Sequence, residues 1–155
     1  MNLVKICLIL PVLLLSNIVF ASEQISTQAI KKVIDLYYSG QSHVSLVDVK
    51  ICGGIHKKGN KKNECTKELK SVKKDQVSYF WTMFFVPYNT KANVMVQFSH
   101  NGITRKIKNI QVAGSLRYRT HIPLKFKQAG NWNVKIMHDM GSDVKDIGSY
   151  KIVVQ

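Results

Sequence analysis

The sequence predicts a mainly β fold, an immunoglobulin-like two-sheet antiparallel sandwich of about seven strands preceded by one short N-terminal helix. Three observations predict it. Apolar residues recur at a helical period before Gly40 and with period two after it. Turn-forming residues punctuate the chain at short intervals, Asn101-Gly102 foremost. Residues 77–86 are apolar on both parities, as in a central strand covered on both faces.

Each element has its own warrant. Over residues 22–40, Ile30, Val33, Ile34 and Tyr37 fall on one helical face, with Lys31, Lys32 and Asp35 away from it. Ser26 or Thr27 caps the start and Ser39-Gly40 ends it. The apolar face is expected to pack on the sheet, because two lysines make too thin a basic face for a membrane-surface helix. Residues 44–52 form the first strand. Residues 53–75 form a long loop carrying Lys57, Lys58, Lys61 and Lys62, then Lys67, Lys70, Lys73 and Lys74, against Glu64 and Glu68. Residues 77–86 form an aromatic strand ending at Pro87, and residues 92–100 the next, with Val94, Val96 and Phe98 on one face. Asn-Gly between two alternating runs makes 101–102 a two-residue hairpin turn. Residues 103–112 return, Ala113-Gly114-Ser115 turns the chain, and residues 116–126, 131–139 and 147–154 complete the set. Asp139-x-Gly141 reads as turn chemistry.

The N-terminus reads as an export signal. Lys5 supplies the basic end, residues 6–15 the apolar stretch, and Val19-Phe20-Ala21 the cleavage site. Cys7 lies inside the apolar stretch and does not follow the cleavage site, so this is not a lipoprotein signal. The expected organisation is a cleaved signal over residues 1–21, a helix and linker over 22–43, and a sandwich over 44–155, with the product periplasmic or secreted and no transmembrane segment after processing. Cleavage removes Lys5 and no acid, so the net charge falls from +14 to +13. Cys52 and Cys65 remain, and an even count in an exported chain predicts a disulfide. Cys52, His56 and Cys65 match no zinc spacing, so no metal is expected.

Charge is the main functional signal. Between Asp75 and Asp139 there is no acid, while Lys91, Arg105, Lys106 and Lys108 are followed by Arg117, Arg119, Lys125, Lys127 and Lys135. A surface of one sign repels itself, so a domain that keeps it usually meets an anion. Alternation puts Leu116, Tyr118, Thr120, Ile122, Leu124 and Phe126 on the core face of their strand. It puts Arg117, Arg119, His121, Lys125 and Lys127 on the other, as a basic ladder. Thr104, Lys106 and Lys108 share a face of the preceding strand, beside that ladder. Arginine suits oxyanions because its planar fork binds them in bidentate fashion.

Catalysis has no comparable signature. His43, His56, His100, His121 and His138 show no metal-ligand spacing, and no nucleophile elbow, HExxH or paired-carboxylate arrangement is present. Neither an enzymatic activity nor a cofactor is expected. Trp81 with Tyr79, Phe84 and Phe85 offers a sugar-stacking alternative, although that strand reads more simply as core. Nucleic acid fits less well, because aromatics beside the basic groups are few.

Ser99-His100-Asn101-Gly102, Arg117-Tyr118-Arg119, Gly130-Asn131-Trp132-Asn133-Val134 and Asp139-Met140-Gly141 resemble a bacterial family of small exported or membrane-tethered domains of unknown function. The family pattern runs His-x-Trp, Arg-Trp-Arg, Gly-x-Trp-x-Val, Asp-x-Gly, and the resemblance covers residues 77–154. Phe98 and His100 stand in place of His-x-Trp, and Tyr118 replaces the central tryptophan. The resemblance implies a β-sandwich with Trp132 in its core and no established activity. The function expected is a non-enzymatic binding module for an anionic partner: an acidic lipid headgroup, lipopolysaccharide or an acidic polysaccharide at a host or envelope surface. Its contacts would be Arg117, Arg119, His121, Lys125 and Lys127, with Lys106 and Lys108. The alternatives are a structural or protein-interaction domain with a protein partner, and a carbohydrate-binding module.

Overall fold

The computed structural model of the protein describes residues 27–38 and 43–155. The export signal and the expected helix ends lie outside them. The elements are α1 (Thr27–Tyr38), β1 (Ser45–Cys52), β2 (Val77–His100), β3 (Ile103–Lys125), β4 (Gly130–Asp139) and β5 (Val144–Val154). All strand pairings between these elements are antiparallel.

Five long strands replace the seven short ones expected, because two expected breaks are bends without chain reversal. Residues 77–86 and 92–100 belong to β2, and residues 103–112 and 116–125 to β3. The two pair along their length, from Val77 opposite Lys125 to His100 opposite Ile103. Pairing lapses between Val86 and Lys91, where Asn89 adopts a positive φ of 58°. Gly114 lies against this bend. A Cβ there would sit 3.0 Å from the Pro87 carbonyl oxygen and 3.1 Å from the Asn89 nitrogen.

The bend folds the hairpin over itself. The rings of Phe80 and Phe98, both on β2, are 5.4 Å apart edge to face. A straight strand would separate them by about 60 Å. One sheet therefore holds β1 with the first half of β2 and the second half of β3, and the facing sheet holds the other halves with β4 and β5. Phe80, Phe84, Val94, Val96, Phe98, Val134 and Ile136 fill the space between. On one side, Leu46 of β1 packs over Gly148 of β5. On the other side lies β3, which pairs only with β2 and so forms an edge of both sheets.

Two bulges in β3 reverse the expected alternation. Phe84 faces Tyr118 but Val86 faces Ser115, so the strand has one extra residue there. Leu116, expected in the core, is 49% exposed. A second extra residue falls at Arg105, between Thr104 opposite Ser99 and Lys106 opposite Phe98. Thr104 thus turns outward, where it accepts a hydrogen bond from Gln97 at 2.7 Å. Lys106 and Lys108 stand opposite Phe98 and Val96 on the inward face. The expectation that Thr104, Lys106 and Lys108 share one face is corrected by this bulge.

Other local expectations match. Asn101 and Gly102 have φ of 51° and 78°, both positive as the two-residue turn demands. Gly141 has φ of 83°, and its N–H donates to Asp139 Oδ1 at 2.9 Å. Trp132 is buried, stacked on His100 at 4.9 Å and edge-on to Phe126 at 4.9 Å. His100 Nε2 lies 3.1 Å from the Ala129 carbonyl. Gly130, with φ of 115°, leaves room for it, since a Cβ there would be 3.0 Å from Nε2.

The helix departs from expectation. Ile30, Val33 and Ile34 remain about half exposed, and only the C-terminal end docks, with Tyr37 5.9 Å from both Phe85 and Tyr88.

Two stability tests follow from the positive-φ glycines. A Cβ at Gly102 meets no atom within 4 Å, so Gly102→Val should cost chiefly backbone strain, on the order of 1 kcal/mol. Gly130→Ala adds the collision with His100 and should cost about 2 kcal/mol. Thermal or urea denaturation measures both, and an equal cost would show that His100 yields freely.

Candidate anion-binding site

The first region is the outer face of the first sheet, under the disulfide loop. Cys52 and Cys65 are joined, with Cα atoms 5.6 Å apart. Their loop folds back through bridges of Ile55 with Cys65 and of Cys52 with Glu68, and Val72 anchors its far end in the core. It therefore packs, where a free excursion was expected. Asn63 accepts the Trp81 indole N–H at its backbone carbonyl, and its amide reaches the Arg119 carbonyl at 3.5 Å. Glu64 pairs with Arg119 at 3.0 Å. Lys50 crosses the Trp81 ring at 5.5 Å and meets Asp48 at 2.9 Å, which holds its ammonium pKa above the ordinary value. Lys50 and Arg119 each meet an acid here, and Trp81 is covered, so the sugar-stacking platform does not form.

The second region is β3 itself. It carries Arg105, Lys106, Lys108, Arg117, Arg119 and Lys125 and no acid. Among the described residues, only Arg119 of these reaches a carboxylate within ion-pair distance. The two halves of β3 face each other across the open side of the sandwich. Lys106 and Lys108 project from one half towards Thr120 and Ile122 of the other, lining a groove of about 480 Å³. Lys106 also borders a deeper slot of about 320 Å³ whose walls include Phe98, Leu124, Phe126 and Trp132. Burial, then the neighbouring Lys108, lowers the Lys106 pKa from the ordinary lysine value.

The expected ladder does not stand as one face of free cations. Arg117 is exposed and has no acid at ion-pair distance among the described residues. Arg119 is tied to Glu64 with its side chain only 18% exposed, because the disulfide loop lies over it. His121 is half-buried against the Tyr79 ring at 5.7 Å. Lys127 pairs with Asp75 at 2.8 Å, which lowers that carboxyl below its ordinary range, and Lys125 stands exposed beside it. Lys106 and Lys108 do not continue the outward face of the ladder but line grooves at the open side of the sandwich, Lys106 beside Lys125 and Lys127 and both beside His121. The signal for this is the Asn101-Gly102 register, which counts His100 onto Ile103, but the bulge at Arg105 hides it from simple alternation.

Compared with known proteins, the chain matches no family model and no curated protein. Similar solved structures include two of low identity. The C-terminal domain of Wzt superposes with a TM-score of 0.51 at 14% identity, covering 75% of each chain. A CARDB domain from Pyrococcus furiosus, solved in complex with di-metal ions, gives a TM-score of 0.45 at 12% identity, covering 80% of this chain and 97% of that one. At such identity the first likeness speaks for the β-sandwich alone.

Two histidines make the domain acid-sensitive. His121 and His138 each have a buried Nδ1 with no hydrogen-bond partner among the described residues. Burial lowers the pKa of both, and for His138 the nearby His43 adds to it. The unfolded chain, with histidine pKa about 6.5, therefore binds protons that the folded chain refuses, so stability rises with pH through this range. The melting temperature should fall as pH drops from about 7.5 to 5.5. Replacing both residues by Gln should flatten that slope, and an unchanged slope would place the acid sensitivity elsewhere.

Proposed function

We propose that the protein is an exported, non-enzymatic binding module that meets an anionic partner through the β3 edge. The observation that carries this is the run of cations on β3: Arg105, Lys106, Lys108, Arg117 and Lys125 have no carboxylate at ion-pair distance among the described residues, and of the β3 cations Arg119 alone has one, Glu64. Unmatched cations along a sheet edge form a continuous positive strip, and such a strip attracts anionic surfaces over roughly a Debye length, about 8 Å at physiological salt. An acidic lipid surface is the partner class favoured, because the strip adjoins an apolar slot. The chemistry of the histidines supports binding over catalysis: His100 contacts a backbone carbonyl, and the Nδ1 atoms of His121 and His138 have no partner among the described residues. The buried hydroxyls of Ser78 and Thr82 likewise lack a hydrogen-bonded base.

The test is vesicle binding by the mature protein at low and high salt, with neutral and acidic phospholipid. Binding should need acidic lipid and weaken as salt rises. Replacing Arg105, Arg117 and Lys125 together by Gln should weaken it at least about tenfold, or 1.4 kcal/mol. The fold should persist, since solvent-facing changes stay within about 0.5 kcal/mol each. Arg119 is left out because its loss would strand Glu64. Lys57→Ala with Lys58→Ala, in the disulfide loop, should matter less. Equal binding by the β3 variant would leave the edge cations a solubility device and favour a structural or protein-interaction domain.

A further inference from the structure

Lys106 occupies an unusual position. It stands opposite Phe98, which is 1% exposed, on the inward face of an edge strand, where a closed sandwich would place an apolar side chain. Among the described residues it has no acid at ion-pair distance, and its neighbour two positions along is Lys108. Lys106 is half-buried and Lys108 exposed, and two like charges about 7 Å apart on one strand face repel. Beside Lys106 the half-open slot is lined by Phe98, Leu124, Phe126 and Trp132. Its volume, about 320 Å³, lies within the range of small-ligand sites, about 300–1,000 Å³. Arg105 and Lys125 stand at its mouth, and no acid lines it, while Lys127 is already neutralised by Asp75.

An apolar slot with a purely cationic mouth is complementary to an amphiphile with an anionic head. The head needs enough charge to neutralise a pair of lysines. A carboxylate supplies one charge, whereas a phosphate monoester carries about −1.5 to −2 near neutral pH and offers three acceptor oxygens. We propose that this slot binds the alkyl chain of a lipid phosphate monoester, with Lys106, which borders both the slot and the adjoining groove, holding the phosphate, Lys108 reaching it from that groove, and Arg105 or Lys125 closing over it. This deepens the reading of β3 as an anion-binding edge and rests on it. Burial of Lys106 disfavours its charged form, and a bound dianion would restore that form.

Dodecyl phosphate below its micelle concentration is the probe, and the indole N–H resonances of the two tryptophans are the readout. The Trp132 N–H donates to the Gln128 carbonyl at 3.1 Å, and both residues line the slot. Trp81 lies under the disulfide loop on the other side of its sheet. Saturable binding should shift the Trp132 resonance and leave that of Trp81 in place. Lys106→Met should weaken it at least about tenfold, and Lys108→Met, a second variant, should weaken it in the same direction. Dodecanoate should bind less well, and dodecyl maltoside and inorganic phosphate should leave Trp132 unmoved. Equal response to the maltoside would make the slot a plain apolar site and overturn the proposal. So would an equal response to inorganic phosphate, or indifference of the wild-type response to both lysine changes. If acidic vesicles still bind with salt dependence while dodecyl phosphate fails, this inference falls and the broader reading stands.

Discussion

The contact between Phe80 and Phe98 organises the molecule. Both belong to β2, and their meeting requires one long hairpin to fold across itself at residues 87–90. Burying two such rings removes on the order of several kcal/mol of exposed apolar surface from water, which drives the fold-over. Because β3 is paired to β2 throughout, it is carried along and becomes an edge of both sheets. The open side of the sandwich, the slot beside Lys106 and the facing halves of β3 are consequences of that single bend. Gly114 permits it by leaving space against the Pro87 carbonyl.

Charge is distributed around this frame in two ways. On the outer face of the first sheet the loop of residues 53–75 supplies Glu64 and Glu68 to Arg119 and Lys50, and it covers the ring of Trp81 while its own lysines stay unpaired among the described residues. Such exposed or half-exposed pairs contribute little each, about 0–1 kcal/mol, and their larger effect is to fix the loop in register. The β3 edge has no corresponding lid.

Much of the fold is legible in the sequence, and the reasons are local. The Asn101-Gly102 turn, the even cysteine pair and the apolar parity of residues 77–86 each depend on a few neighbouring residues. Trp132 is legible as core because alternation holds from Asn131 to Ile136, before the bulge in β4 at Met137. The site is less legible because it depends on single-residue insertions and distant partners. Alternation assigns Leu116 to the core, yet an extra residue in β3 turns it outward. The same kind of insertion at Arg105 turns Lys106 inward. The pairing of Arg119 with Glu64 joins residues far apart in sequence, and nothing in the spacing of either announces it.

Inward lysines on an edge strand have a recognised protective effect, since a charge aimed into the sandwich deters another strand from adding there. That effect asks only for one charge somewhere along the edge, and the exposed Arg117 and Lys125 already supply charge to it. It does not ask for two lysines on one face beside a lined apolar slot, a geometry whose self-repulsion works against the fold. Edge protection and ligand binding are therefore separable by position. A guard residue can be moved one turn of the pleat along β3 with little consequence, whereas a residue that completes a site cannot leave the mouth of the slot between Phe98 and Leu124.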